Sequence, residues 1–321
     1  MTCVRCQHHT CKKFGYFGKR RIQRWRCNSC SSTFCEPHKR LTRDTFTSRP
    51  DAAAKAIQCL LEGCSVRSTE RLTGLNRNTI LRLLVDAGNR SQELMSAMMR
   101  DLRPRYLEVD EIWCFVQKKA RNVRKTDSDE VGDQWIFVAI DAESKLVPSF
   151  YVGKRTKQAT SAFLWDLYKR LSGPVQLTTD GLIHYSRAVP ECFGLDVDFA
   201  QLVKLFGDYG QHSPEGRYSP SPIKEVISKV RIGKPAPEHI STSYVERQNL
   251  TMRMNMRRLT RLTNGFSKKL ENLKAAVALH FAYYNLCRIH TKLRVTPAME
   301  AGITNHCWSI AELLGMEQHV F

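Results

Sequence analysis

The sequence of 321 residues predicts an α/β protein whose main domain contains a mixed five-stranded sheet. Three observations lead to this class. Strand-like apolar runs alternate with helical runs after Pro104, two C-x2-C pairs lie near the N-terminus, and a helical period runs from Ala52 to about Gly88. We expect four regions: a cysteine module at 1–45, a helical module with a connector at 46–103, the α/β domain at 104–303 and a tail at 304–321.

The first module carries CVRC at 3–6 and CNSC at 27–30, separated by twenty residues. This spacing is typical of a zinc ribbon, because each C-x2-C places two thiolates on one tight turn and two such turns complete a tetrahedron. Gly15 and Gly18 mark turns of a small β-hairpin between the pairs. The predicted ligands of one structural Zn²⁺ are Cys3, Cys6, Cys27 and Cys30. Cys11, Cys35 and His38 are alternative ligands, and four unrelated buried cysteines are the alternative to a metal site.

The second module contains three helical stretches, AAAKAIQCLLEG, SVRSTERLTG and NRNTILRLLVDAG, with Gly74 and Asn76 supplying a turn and a cap. Two short helices joined by a glycine turn are typical of a helix-turn-helix, whose second helix enters the DNA major groove. A plain three-helix packing module is the alternative. Residues 89–103 are predicted to form a helical connector. The residues expected to contact DNA are Arg77, Asn78, Thr79 and Arg82.

The formal charge of +19 favours a polyanionic partner. Residues 1–50 contribute +10 of it, from twelve basic residues against Glu36 and Asp44. No apolar run approaches the ~20 residues of a membrane span, and the N-terminus lacks the apolar core of a signal peptide. A membrane-surface protein is disfavoured, since the chain lacks a basic amphipathic helix with exposed aromatics. We therefore expect a cytoplasmic protein with reduced or metal-bound cysteines, and nucleic acid as its partner.

The α/β domain reads as β-β-β-α-β-α-β. Its strands lie in RYLEVDEIWCFV, DQWIFVAIDAESKLVPSFYVG (two strands), PVQLTTDG and LDVDFAQLVKLFG, with a helix at 158–172. Residues 207–238, rich in Gly, Pro and Ser, are predicted to be a loop or insertion. Helices follow from about Ser241 and over 267–287, and Thr296-Pro297 begins a last short one.

Three carboxylates fall at informative positions in this order of elements. Asp110 lies within the first apolar strand, Asp180 directly follows the fourth strand, and Glu246 lies on the helix after the last strand. A buried ionised Asp is costly unless it pairs or binds a cation, and no neighbour in sequence pairs with Asp110. Acids that converge from these positions can hold two Mg²⁺ (or Mn²⁺) ions about 4 Å apart, which is suited to phosphodiester chemistry.

Other acids remain open as substitutes. Glu108 shares the strand face of Asp110, whereas Glu111 points to the opposite face. The further candidates for the third ligand are Asp141, Asp196, Asp198 and Glu238.

Glu246 heads a basic segment, SYVERQNLTMRMNMRRLTRLTNGF, with five arginines and no other acid. At 100° per residue Arg253 and Arg257 fall on the helix face of Glu246, while Met252, Met256 and Leu259 form an apolar stripe. We expect the stripe to pack on the sheet and the two arginines to bind a DNA backbone. A solvated basic face is the alternative.

EVDEIW, TTDG, SYVERQN and the tail HFAYYNLCRIHTKLRVTPAMEAG resemble bacterial insertion-sequence transposases of the DDE class, which have an RNase H-like core similar to that of retroviral integrases. One group of these enzymes also places a zinc ribbon and a helix-turn-helix before that core. The resemblance implies that Asp110, Asp180 and Glu246 are the metal-binding triad. The 65 residues between Asp180 and Glu246 are more than in many integrases, and the excess coincides with residues 207–238.

The resemblance further implies binding to the terminal inverted repeats of an element, hydrolysis at its 3′ ends and strand transfer into target DNA by a homo-oligomer. The alternative is a non-enzymatic DNA-binding regulator derived from such an enzyme. All three acids of the triad are present, which favours the enzyme.

Overall fold

The computed structural model describes residues 2–3, 5–17, 22–35, 46, 49–207, 222–260 and 263–316. The chain divides into two compact units, residues 1–44 and 45–321. The predicted boundaries between the helical module, the α/β domain and the tail stay predictions. No helix in the described ranges combines the length and the apolarity that a membrane span requires.

The N-terminal unit is a three-stranded antiparallel sheet of β1 (Cys11–Phe17), β2 (Ile22–Cys27) and β3 (Thr33–Cys35). The predicted hairpin corresponds to β1 and β2. Gly15 lies within β1 at a register shift, with a φ of 73°, and so forms part of an irregularity in the strand rather than its turn. Gly18 and the alternative ligand His38 lie outside the described residues.

Three helices open the second unit: α1 (Pro50–Leu61), α2 (Val66–Thr73) and α3 (Arg77–Met98). The predicted turn is present: Gly74 ends α2 with a φ of 67°, and the Asn76 side chain caps α3 by accepting from Asn78 N at 2.9 Å. The connector predicted at 89–103 is helical as far as Met98, and it continues α3 through Gly88 without a break. A Cβ built on Gly88 would lie 2.4 Å from Ala275, so this glycine allows two helices to approach closely and does not end one.

Six strands of the described residues form the central sheet: β4 (Tyr106–Val116), β5 (Gly132–Asp141), β6 (Phe150–Gly153), β7 (Val175–Thr179), β8 (Val197–Phe206) and β9 (Ile223–Ile232). They lie in the order β6-β5-β4-β7-β8-β9. β4 pairs in parallel with β7, and β7 with β8, whereas the other pairs are antiparallel. The mixed α/β class is confirmed, with one strand more than the five predicted.

Strand β9 lies within the segment 207–238 that was predicted to be a loop or insertion, so the loop prediction is wrong for Ile223–Ile232. The insertion stays a prediction. β9 is the edge strand of the sheet beside β8, and most of its residues are exposed on both faces. A strand that buries neither face needs no alternation of apolar and polar residues, and periodicity therefore cannot reveal it.

Helices cover both faces of the sheet. On one face α4 (Lys157–Tyr168) and α5 (Ile183–Phe193) enclose a core that includes Phe137, Phe163 and Phe199. On the other face α6 (Ser243–Asn255) and α7 (Leu270–Leu286) share a core with α1 and α3. Two short helices follow, α8 (Pro297–Glu300) and α9 (Ile310–Leu313). Single 3₁₀ turns lie at Ala120–Asn122, Pro237–His239 and Arg257–Leu259.

Candidate active site

The sheet register brings Asp110 and Asp180 together. β7 pairs with β4 only as far as Thr179, which lies opposite Val109, and Asp180 is the next residue after β7 ends. Asp110 is the residue of β4 just beyond that pairing, where its other neighbour, Val138 of β5, continues the sheet. The two predicted residues therefore lie side by side at the carboxyl end of β7, where the sheet opens beside β4.

Glu111 joins these two residues, which strand alternation alone did not indicate. Oxygen atoms of Asp110, Glu111 and Asp180 all lie within 4.8 Å of one another. Glu111 belongs to the opposite sheet face, as predicted, and accepts from Arg155 Nη2 at 3.0 Å. Because β7 has ended at this level, no backbone separates the two faces beside β4, and carboxylates from both faces can meet.

Arg155, which follows β6, is the cation that faces this cluster. Its guanidinium lies 3.0 Å from Glu111 Oε2, 3.7 Å from Asp180 Oδ2 and over the ring of Trp135. The Tyr185 hydroxyl lies close enough to lower the pKa of Glu111, but neither that hydroxyl nor Glu111 Oε1 makes a hydrogen bond of normal geometry in the described structure. One buried carboxylate oxygen is thus left without a partner.

The raised pKa values of the cluster indicate that Arg155 compensates its negative charge only in part. Burial, followed by the charge of Asp180, raises the pKa of Asp110 to about 6 and that of Glu111 to about 7. Burial also raises the pKa of Asp180. Desolvation and mutual repulsion both disfavour the ionised forms, and a divalent cation would relieve both. An all-oxygen donor set with one unpartnered oxygen fits a Mg²⁺ or Mn²⁺ ion.

Glu246 lies near the cluster without being part of it. Its charge contributes to the raised pKa values of Asp110 and Asp180. Its Oε1 accepts hydrogen bonds from Lys204 Nζ and, at 2.6 Å, from Thr242 Oγ1, and the side chain is 45% exposed. Its role as the third metal ligand stays a prediction.

Two contacts fix helix α6 against β4. Glu108 Oε2 accepts from the backbone N–H groups of Tyr244 and Val245 at 2.7 and 3.0 Å, which anchors the first turn of the helix. Asn249 Nδ2 donates to Asp110 Oδ2 at 2.9 Å, and its buried Oδ1 has no partner among the described residues. Glu108 does share the face of Asp110, as predicted. Asn249 was missed, although it follows Glu246 by three residues and so lies one helical turn away.

The substitute acids have other partners or positions. Asp141 accepts from the N–H groups of Glu143 and Ser144 within its own turn. Asp198 pairs with Gln176 at the start of β7, the strand end opposite Asp180, and accepts from Lys234 N at 2.6 Å. Asp196 lies just before β8, and Glu238 lies in a 3₁₀ turn. None of these four belongs to the carboxylate cluster found among the described residues.

The apolar stripe that follows Glu246 is buried, but the basic face is interrupted. Met252, Met256 and Leu259 are buried. Helix α6 ends at Asn255, and Arg257 begins a separate 3₁₀ turn. The expectation that one helix carries Arg253 and Arg257 on the face of Glu246 is therefore wrong for Arg257, which is nevertheless exposed. Arg253 is half-buried, and its Nη1 lies 3.4 Å from Leu259 O.

The four predicted zinc ligands converge in the N-terminal unit. Cys3 Sγ lies 3.6 Å from Cys30 Sγ, and Cys6 Sγ lies 3.6 Å from Cys27 Sγ. The Zn–S distance of about 2.3 Å in a tetrahedral site requires sulfur atoms about 3.8 Å apart, so the geometry fits a Zn²⁺ ion. Hydrogen bonds from Ser32 lower the pKa of Cys30 to about 6, which favours the thiolate. Cys11 and Cys35 are not members of this four-sulfur group.

The predicted DNA-contacting residues lie at the start of α3. Arg77, Asn78 and Arg82 are exposed, and Thr79 is half-buried. Arg82 Nε donates to Asn78 O at 3.3 Å, within its own helix. The basic groups of the first turns are thus accessible, and their contact with DNA stays a prediction.

No protein-family model matches the sequence, and no curated protein matches it. Among solved structures, the chain is similar to a piggyBac transposase in its synaptic complex with hairpin DNA, with a TM-score of 0.40 and 9% identity over 82% of this chain and 68% of that chain. It is also similar to Mos1 transposase in a paired-end complex with the left transposon end, with a TM-score of 0.22 and 15% identity over 46% of this chain. The matched region spans 57% of the Mos1 chain. At these scores neither similarity defines the function of the chain.

Proposed function

We propose that the protein is a DDE-class DNA transposase with an RNase H-like core, which binds the ends of its insertion sequence, hydrolyses their 3′ ends and transfers them to target DNA. The observation that carries this proposal is the meeting of Asp110 and Asp180 at the end of β7, with Glu246 close by on α6. The net charge of +19 supports a nucleic-acid substrate.

The proposed roles follow from the contacts. Asp110 and Asp180 hold the divalent cations, and Glu111 or Glu246 completes the donor set. When bound, two such cations would supply Lewis acidity to a phosphodiester and to the attacking and leaving oxygens. Asn249 orients Asp110, and Glu108 holds the start of α6 so that Glu246 faces the cluster. Arg155 limits the negative charge of Glu111 and Asp180.

The remaining modules are proposed to bind DNA. The cysteine cluster holds one structural Zn²⁺ in a zinc ribbon, and the start of α3 contacts the terminal repeats in the manner of a helix-turn-helix. In the full-length protein, Arg77→Ala or Arg82→Ala should weaken preference for the element ends more than total affinity, as a loss of base contacts requires. If the wild-type protein binds element-end DNA and random DNA with equal affinity, α3 has no role in sequence-specific recognition.

One observation favours the non-enzymatic alternative. Lys204 and Arg155 already pair with carboxylates of the site, as they would in a protein that no longer binds metal there. The deciding experiment incubates purified protein with labelled DNA that carries the element's own ends, with Mg²⁺ present or omitted. The transposase should cut and join the ends only with Mg²⁺, and Asp110→Asn should abolish both steps while leaving DNA binding intact. Binding without any cleavage by the wild type would favour the regulator.

A further inference from the structure

A basic pocket lies beside helix α6, away from the carboxylate cluster. It has a volume of about 140 Å³ and is lined by one side of α6, the turn after β5 and the chain that follows α7. Asn249 faces Asp110, whereas its neighbours on α6 at positions 247, 248 and 251 line the pocket. The polar side chains that matter here are Lys145, Arg247, Gln248, Arg288 and His290.

The charge of this pocket has no matching acid. Its lining contains three permanent cations and no Asp or Glu. In the part of the chain that the structure describes, Lys145, Arg247 and Arg288 form no ion pair. Glu108 is near enough for Lys145 to influence its pKa, but its Oε2 accepts from two N–H groups of α6. A pocket of this composition attracts an anion.

Lys145 is held in place at a structural cost. It is 6% exposed and adopts a φ of 62°, a left-handed conformation that is strained for a residue other than glycine. Its Nζ donates to the carbonyl of Ala142 and lies over the ring of Tyr244, 3.3 Å from the centroid, and Tyr284 Oη donates to the Lys145 carbonyl at 3.1 Å. The ammonium thus has a carbonyl and a ring as partners but no carboxylate among the described residues, and a bound anion would compensate its charge.

Gln248 provides an independent sign of a ligand. Its side chain is 3% exposed, and its Nε2 atom is buried without a hydrogen-bond acceptor among the described residues. Buried donors are almost always satisfied in native proteins, so an amide that lines a basic pocket calls for an acceptor from a ligand.

The pocket also includes part of the tail stretch HFAYYNLCRIHTKLRVTPAMEAG. This stretch has no assigned role in the proposed carboxylate site. Arg288 and His290 come from its RIH segment. His290 Nδ1 accepts from Leu293 N at 3.4 Å, which leaves the proton of the neutral ring on Nε2 as a donor. The lining is therefore rich in donors, which suits an oxyanion with several acceptor oxygens.

We propose that this pocket binds a phosphate group, and that in the complex with DNA the group is a backbone phosphate held beside helix α6. The assignment to DNA rests on the proposed function, whereas the phosphate chemistry does not. A phosphate bound to α6 on one side would fix the helix that carries Glu246 and Asn249 on the other, and so couple DNA position to the carboxylate site.

Binding can be tested without cleavage, in full-length zinc-loaded protein carrying Asp110→Asn and without Mg²⁺. Inorganic phosphate, at constant ionic strength against chloride, is titrated by calorimetry and by thermal shift. Gln248→Met keeps the side-chain volume and removes the donor, and Arg247→Ala shortens an exposed side chain of the pocket. Each should weaken phosphate binding at least tenfold, while Arg121→Ala, which removes an exposed arginine outside the pocket, should leave phosphate affinity unchanged.

The DNA arm measures the salt dependence of affinity for element-end DNA in the same variants and in Arg288→Ala. Loss of one phosphate contact should reduce the slope of log K against log salt by about one for Arg247→Ala and Arg288→Ala. Phosphate binding with an unchanged slope would assign the pocket to a free anion and overturn the DNA assignment. If the protein with an intact pocket does not bind phosphate, the proposed phosphate site is wrong, whatever the slope of log K against log salt. Failure of the cleavage assay alone would overturn the proposed function and leave the phosphate site standing.

Discussion

Asn249 Nδ2 donates a 2.9 Å hydrogen bond to Asp110 Oδ2, and this contact joins helix α6 to the central strand β4. Asn249 follows Glu246 by one helical turn, so the bond sets the rotation of the helix that presents Glu246. The bond also favours the ionised form of Asp110, because an N–H donor binds a charged carboxylate more strongly than a neutral carboxyl. We therefore infer that Asn249 positions Asp110 for the proposed metal site.

The first prediction concerns this contact. Asn249→Ala should weaken Mg²⁺ binding about tenfold, because a hydrogen bond to a charged group contributes about 1.5 kcal/mol. Isothermal titration of Mg²⁺ into the full-length protein measures the affinity. Asn255→Ala, at the last residue of the same helix, is the matched control and should leave the affinity unchanged. Equal Mg²⁺ affinity in Asn249→Ala and the wild type would show that Asp110 needs no partner on α6.

The second prediction concerns pH. The pKa of Asp110 is raised from 3.8 to about 6 and that of Glu111 from 4.5 to about 7. Between about pH 4 and pH 7 the native state therefore holds more protons than the unfolded state, and the free energy of unfolding falls as pH rises through this window. Each group contributes on the order of 3 kcal/mol of this loss. The proposed Mg²⁺ ions would bind the ionised carboxylates, so the stability they add should grow with pH.

Urea unfolding at pH 5 and pH 7.5, in buffer with or without Mg²⁺, measures this dependence. Chelators are avoided so that zinc is retained. Asp110→Asn combined with Glu111→Gln should flatten the fall of stability with pH and remove the effect of Mg²⁺, whereas Asp129→Asn, at an exposed acid, should do neither. A wild-type protein that becomes steadily more stable from pH 5 to pH 7.5 would contradict the raised pKa values.

The third prediction concerns the cysteine cluster. Metal analysis of the purified protein should find close to one zinc per chain, and Cys27→Ser combined with Cys30→Ser should remove it, because two of four thiolates are lost. Cys11→Ser with Cys35→Ser is the matched control and should retain zinc. Protease should then cleave within residues 1–44 of the zinc-free variant only. A wild-type protein that is free of zinc and still resists protease there would rule out a zinc ribbon.

The fourth prediction concerns the contact of α3 with α7. Gly88→Ala should lower the free energy of unfolding by about 1–3 kcal/mol, since the added methyl group meets the backbone and side chain of Ala275. Ala275→Gly should restore part of the loss in the double variant, and urea unfolding measures both. If Gly88→Ala were as stable as the wild type, the two helices would not approach as closely as described.

The sequence predicted most of the elements because their signals are local. Strand β4 and helices α2 and α3 follow from apolar periodicity, and the caps at Gly74 and Asn76 from residue type. Periodicity did not reveal the sixth strand, because β9 is exposed on both faces. The predicted third helix was too short, because it stopped at about Gly88. This glycine instead allows close packing against a helix nearly 200 residues later in the sequence.

The candidate site was predictable in part for the same reason. Asp110 and Asp180 stand out as acids next to apolar strands, and the sheet brings them together. The sequence did not place Glu111 in the cluster, because the alternation of side chains separates the two faces only where the sheet is intact. β7 ends beside β4, so carboxylates from both faces can come together there. Such an end depends on strand pairing, which residue patterns do not show.

The last prediction distinguishes two roles for Glu246, which pairs with Lys204 in the described structure. If Glu246 is a metal ligand, Glu246→Gln keeps its size and hydrogen bonding but removes the charge, so strand transfer should fall by orders of magnitude while DNA binding survives. Lys204→Met removes the competing cation and leaves the carboxylate free, so Mg²⁺ affinity should rise and strand transfer should be retained. If the two residues form only a surface ion pair, each change should cost about 0–1 kcal/mol of stability and leave Mg²⁺ affinity alone. Mg²⁺ titration and end-joining assays on both variants separate these cases, and normal joining by Glu246→Gln would transfer the third-ligand role to Glu111, whose oxygen already lies within the cluster of Asp110 and Asp180.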